Sequence, residues 1–259
     1  MKLPPTNARK VCHLAALTAA ILLAHPPGAA AQEVPALDGV WTFGSCNPDG
    51  SGFNIRCMVL EEEDARLTNR AKAYRDVIDE AAQPKYDCAP MSIPHMWTDP
   101  YSWKLEQLED RIVIYYGKDD VSRTIWLEGH EHPTPGINEF PYFGHAVGRY
   151  ENGALVVVTS KFAFDPQGLN ADFRLASSTQ KQVTERFSLE NGNLVLEVST
   201  IDPFFLNQPW EFKVVSRPDP TPWQGSWQCD LEASRQILKL MAPMYPDDPA
   251  VERIVYPTE

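Results

Sequence analysis

From Trp103 onward the chain alternates short apolar and β-branched runs with polar turn signals. The runs are WKLEQL, RIVIYYG after Glu109-Asp110, VSRTIWLEG, ALVVVTSKF after Asn152-Gly153, KQVTERFSLE after a loop at 165–178, LVLEVSTID after Asn191-Gly192, and EFKVVSR after Pro209-Trp210. Asn-Gly between β-branched runs is a strong hairpin signal. Seven or eight successive strands with tight turns and no intervening helix predict an antiparallel meander. Closing a meander on itself removes its open edges. The expected fold is therefore mainly β, a lipocalin-like barrel or strongly curved sheet over residues 103–229.

The segment at 32–102 supplies the flanking elements. Residues 33–45 read as an opening strand, and Glu61 to Gln83 read as one long helix. Leu67, Ala71, Tyr74, Ile78 and Ala81 share one helical face. Glu61, Glu62, Glu63 and Asp64 crowd its first turn, where the helix dipole favours acid, and Pro84 ends it. The following stretch, YDCAPMSIPHMWTDPY at 86–101, has too many prolines for a regular helix. An irregular segment carrying Cys88, His95, Trp97 and Tyr101 is expected to form a lid or a pocket wall. A short helix over 230–242 and a Pro- and Asp-containing tail complete residues 230–259.

The amino end reads as a secretory signal peptide over residues 1–31. Lys2, Arg9 and Lys10 precede an apolar run from Val11 to Ala24, then Pro26-Pro27-Gly28 and Ala29-Ala30-Ala31. The run is too short for a membrane span, which needs about 20 apolar residues. The expected location is periplasmic or secreted. Without the leader, 20 basic and 35 acidic residues leave a net charge of −15. Such a surface repels phosphate backbones, so nucleic acid is a poor partner. Cys46, Cys57, Cys88 and Cys229 then form an even set, which in an oxidising compartment implies two disulfides. Three pairings are open. Cys46 with Cys57, closing a turn-rich loop, and Cys88 with Cys229 is the favoured one. A tetrathiolate metal site would need tight Cys-x-x-Cys spacing, which is absent.

Gly144 to Thr159, GHAVGRYENGALVVVT, resembles the Gly-His-Ser-Val-Gly-Arg-Trp-Glu-Gly-Asp-Thr-Leu-Val-Val-Asp-Thr hallmark of a widespread family of uncharacterised exported bacterial proteins. RTIWLEG (123–129), TERF (184–187), DPFFLNQPW (202–210) and Cys229 extend the resemblance over about 140 residues. It implies a lipocalin-like fold and an exported protein, and brings no established activity. Val158 stands where the family has Asp, and Lys161 where it has Gly. Any chemistry resting on that Asp is lost here.

All four histidines outside the leader lie between residues 95 and 145. His130-x-His132 with His145 could ligate a metal, but Gly129 and Pro133 place the first pair in a turn, where side chains no longer alternate. Neither a metal nor a cofactor is expected. Acid–base chemistry is the sharper expectation. His132 and His145 would act as bases, Arg123 would hold an oxyanion or carboxylate, and Tyr115 would donate, with Glu185 as charged partner. Either Tyr115 or its neighbour Tyr116 faces inward. Arg123 or Arg149 with Glu185 could equally form a buried structural network. No Gly-x-Ser-x-Gly elbow, His-Glu-x-x-His or phosphate-binding loop is present. The leading expectation is a lyase or isomerase acting on a small apolar or aromatic molecule in the barrel, without a membrane span. The alternatives are a non-catalytic carrier using the same cavity and a structural envelope protein with none. Convergence of His132, His145, Arg123 and Glu185 on one cavity decides between enzyme and carrier. The oligomeric state is not legible.

Overall fold

Strand alternation survives into three dimensions in a computed structural model that describes Met1 and residues 34–61, 63–78, 83–170 and 174–241. The expected leader, Ala81 and the final tail lie outside the described residues. The chain divides after Ala31, and all of the described elements belong to the unit from Gln32 to Glu259. They are β1 (Gly39–Trp41), α1 (Asn69–Arg75), β2 (Trp103–Gln107), β3 (Arg111–Tyr116), β4 (Ser122–Leu127), β5 (His145–Glu151), β6 (Ala154–Ser160), β7 (Asp165–Asn170), β8 (Leu175–Ser177), β9 (Gln182–Glu190), β10 (Asn193–Ile201), β11 (Trp210–Ser216) and α2 (Leu231–Met241). Among the described residues no helix is long and apolar enough to cross a membrane.

Nine strands form one sheet in the order β1-β2-β3-β4-β5-β6-β9-β10-β11. Its two ends zip together: Thr42 N–H donates to Arg217 O at 2.9 Å, and Ser45 and Val215 exchange bonds of 3.0 and 2.9 Å. The barrel expected from the meander is thus present and nearly closed. One pairing departs from the antiparallel expectation. Strands β4 and β5 run parallel, with Ile125 opposite Ala146. The connection over residues 128–144 makes turns at Leu127–His130, Gly136–Glu139 and Pro141–Gly144 but no hairpin, so β5 re-enters the sheet in the same direction as β4. A second difference lies in the expected loop at 165–178, which holds the separate β7–β8 hairpin.

The long helix shortens to α1. Thr68 caps it, its hydroxyl accepting from Ala71 N–H at 3.0 Å, so the helix begins well after the acidic cluster. Asp64 instead binds the backbone N–H and guanidinium of Arg66, and Glu63 pairs with Lys72 at 3.1 Å. Local side-chain bonds of this kind compete with helix initiation. Both favoured disulfides, Cys46–Cys57 and Cys88–Cys229, are formed.

The barrel is not hollow. Ile112, Ile114 and Tyr116 of β3, Ile125 and Leu127 of β4 and Val183 and Phe187 of β9 point inward and are buried. Residues 84–101 cross one mouth and drive Trp97 into the interior. Its ring lies 5.0 Å from Trp103, 5.4 Å from Tyr116 and 6.1 Å from Phe187. This segment is a plug.

Candidate functional site

Arg123 of β4 and Glu185 of β9, with two strands between them in the sheet, both face the core and meet inside the barrel. The guanidinium donates to both carboxylate oxygens, at 2.9 and 2.5 Å, and to Thr159 Oγ1 at 2.7 Å. Trp97 of the plug donates to Glu185 Oε1 at 2.9 Å. Burial alone would lower Arg123, but Glu185 and Tyr116 more than offset it and hold the guanidinium charged. Burial raises the Tyr116 hydroxyl, with Glu185 adding and Arg123 opposing, so it stays protonated. This is the structural Arg–Glu network, with Arg123 rather than Arg149 as its cation. Arg149 is exposed and pairs with Glu151 at 2.9 Å.

The other expected site residues lie on the opposite side of the sheet. Ala146 and Gly148 of β5 face inward, which turns His145 outward. His132, on the β4–β5 connection, lies beside it with ring centres 5.2 Å apart. Burial, then His132 and Lys161, lower the His145 imidazole. Tyr115 also faces outward, its hydroxyl donating to Glu106 at 2.9 Å, and Tyr116 is the inward member of the pair. Val158 alternates outward between the buried Val157 and Thr159. The five expected residues therefore do not converge. A strand side chain reaches only one face of its sheet, and Arg123 and Glu185 chose the core.

The concave surface lies instead where the plug meets the barrel mouth. A cleft of about 630 Å³ runs between the Cys46–Cys57 loop (Phe53, Ile55), the plug (Met91, His95) and the closing segment (Trp227, Cys229). An ion pair of 3.1 Å between Lys118 and Asp99 stands at its inner end. Beyond it is a recess of about 20 Å³ lined by Phe43, Trp97, Trp103, Tyr116 and Ser216, with Asp99, Lys118 and Asp119 shared with the cleft. That volume is enough for about one water. Tyr116 Oη and Ser216 Oγ are buried here without a well-formed hydrogen bond among the described residues. Leaving such a group unmet costs about 1–3 kcal/mol. Asp119 Oδ1 is likewise unmet, and burial raises that carboxyl.

The plug is held from below by a buried relay. Lys181 donates to Ser92 Oγ at 2.9 Å and Ile93 O at 2.7 Å, and Ser92 Oγ donates to Asp165 Oδ2 at 2.5 Å. His95 Nδ1 lies 3.0 Å from Gln167 O. The proline-rich segment was the sequence signal for this site. Strand alternation had marked Tyr115 or Tyr116 as inward, whereas Ser216, Asp119 and Lys181 carried no signal beyond their residue types.

Comparison with known protein families and with curated proteins found no match. Among solved structures, the fluorescent protein UnaG is similar at 13% identity, covering 70% of this chain and 96% of that one with a TM-score of 0.32. A single-residue variant of it is similar at 14% identity and a TM-score of 0.33, covering 71% of this chain and 96% of that one.

Proposed function

We propose that this chain is an exported binding protein that holds a small, largely apolar or aromatic molecule in the cleft beside the plug. The observation that carries the reading is the junction of cleft and recess. A volume of about 630 Å³ is that of a small-molecule site. Its aromatic inner end holds two buried hydroxyls, Ser216 and Tyr116. Ser216 is without a well-formed bond among the described residues. Tyr116 faces the Arg123 guanidinium, a group that can only donate, and so keeps its own proton to offer. A protonated Tyr116 donates, so the leading end of the ligand should carry a neutral acceptor such as a carbonyl. Entry into the recess requires the Lys118–Asp99 pair or the Trp97 plug to give way. The leader pattern, the two disulfides and the resemblance to exported lipocalin-like proteins support the compartment.

Cofactor-free lyase or isomerase chemistry needs its acid and base within reach of one substrate. With His132, His145 and Tyr115 outside and Arg123 and Glu185 sealed inside, binding is the better-supported reading. The test compares 2-acetylnaphthalene with its near-isostere 2-ethylnaphthalene by equilibrium dialysis. The ketone is expected to bind about fivefold more tightly, the value of one net hydrogen bond, and Tyr116→Phe to remove the preference. Equal binding of the two probes to the unaltered chain, or no binding of either, would overturn the proposal.

A further inference from the structure

The histidine pair on the outer face is independent of the cleft. Gly144, at φ +69°, leads the chain into β5 by a narrow path, because a Cβ there would lie 2.7 Å from Ser160 O. His145 follows at once, so its outward direction is fixed by backbone. His132 is fixed from two sides. Trp126 stacks on it with ring centres 5.9 Å apart and planes 16° from parallel, and its Nδ1 lies 3.2 Å from Pro133 O. A carbonyl accepts only, so Nδ1 carries the proton and Nε2 keeps its lone pair. Metal-ligating histidines are oriented by this same kind of bond to a backbone carbonyl. Two imidazoles sharing one tetrahedral ion, at metal–nitrogen distances of about 2.0–2.1 Å, have ring centres about 5.2 Å apart. The observed separation is 5.2 Å.

We propose that His132 and His145 together bind a divalent transition-metal ion on the outer face of the barrel, with water filling the other positions. Among the described residues no group of three ligating side chains forms, so the site is open and exchangeable rather than structural. Imidazole ligands suit copper, nickel and zinc, and the general order of affinities puts Cu²⁺ ahead of the other two. Lys161 opposes the ion. Its ammonium donates to Pro135 O and its charge is felt at His145, which holds the affinity down.

Isothermal titration of the untagged chain with CuCl₂ and ZnCl₂ tests the site, using His132→Ala, His145→Ala and His130→Ala. One Cu²⁺ should bind to the His132–His145 site, more tightly than Zn²⁺. Loss of an outer-shell partner typically weakens metal sites 10–100-fold, so removing either ligand should weaken binding about tenfold or more. His130→Ala should leave it unchanged. Electron paramagnetic resonance of the copper form should report two imidazole nitrogens, falling to one in each ligand variant. All three side chains are at the surface, and matching thermal melts of the metal-free variants would verify the fold. Unchanged binding in His132→Ala and His145→Ala would overturn the proposal. So would a loss in His130→Ala equal to that in His145→Ala, which would move the ion to the turn.

Discussion

Arg123 and Glu185 are the most consequential pair of residues in the core. Both are buried, the contact is bidentate, and Thr159 and Trp97 satisfy further positions. A buried pair of this kind contributes little beyond a well-packed apolar pair, yet removing one partner strands the other charge. Glu185→Ala should therefore cost about 3–5 kcal/mol in urea unfolding. The double variant Arg123→Met with Glu185→Leu should recover part of that loss. A Glu185→Ala cost below about 1 kcal/mol would mean that the charge finds water or another partner. The sequence showed an Arg and a Glu on strands. It could not show that both face inward, because that depends on which neighbours complete the barrel.

Among the elements, the plug decides what the barrel can do. A lipocalin-like cavity was the expectation for the interior, and Trp97 fills it while moving the concave surface outward to the mouth. Lys181 is the pin beneath the plug. Burial lowers its ammonium to about 8 from the ordinary 10.5, with Asp165 and Asp202 opposing. The folded chain therefore releases this proton before the unfolded chain does. Above pH 8 the unfolded state binds more protons at this site, so stability rises with pH until the unfolded lysine also titrates. Between pH 8 and pH 9.5 the unaltered chain should gain about 1.5 kcal/mol relative to Lys181→Met. Urea midpoints at the two pH values check it, and parallel curves for both proteins would refute it. The helix is the element that sequence misjudged most. Periodicity extended it to Glu61, whereas Asp64 and Thr68 bonded locally and delayed its start to Asn69.

At the scale of the molecule, the Cys88–Cys229 bridge ties the plug to the closing segment across 141 positions of sequence, and both cysteines border the site. None of the sheet's hydrogen bonds depends on it. Replacing both residues by Ser should lower stability by about 2–5 kcal/mol while unfolding stays cooperative. The same variant should lose affinity for 2-acetylnaphthalene, since one wall of the cleft is released. Retained affinity would show that the wall holds itself.

Short-range pattern determined much of this protein. Strand positions, the two Asn-Gly hairpins at 152–153 and 191–192 and the barrel class follow from alternation and turn chemistry, which act within a few residues. The proline-rich segment likewise declared itself as a pocket wall. Only the tertiary structure decided the rest. The parallel β4–β5 pair, the filled interior, the split of the five expected site residues between two faces and the meeting of His132 with His145 all depend on the relative placement of distant segments. Residue type sets what a side chain can do, and closure of the sheet sets which side it does it on.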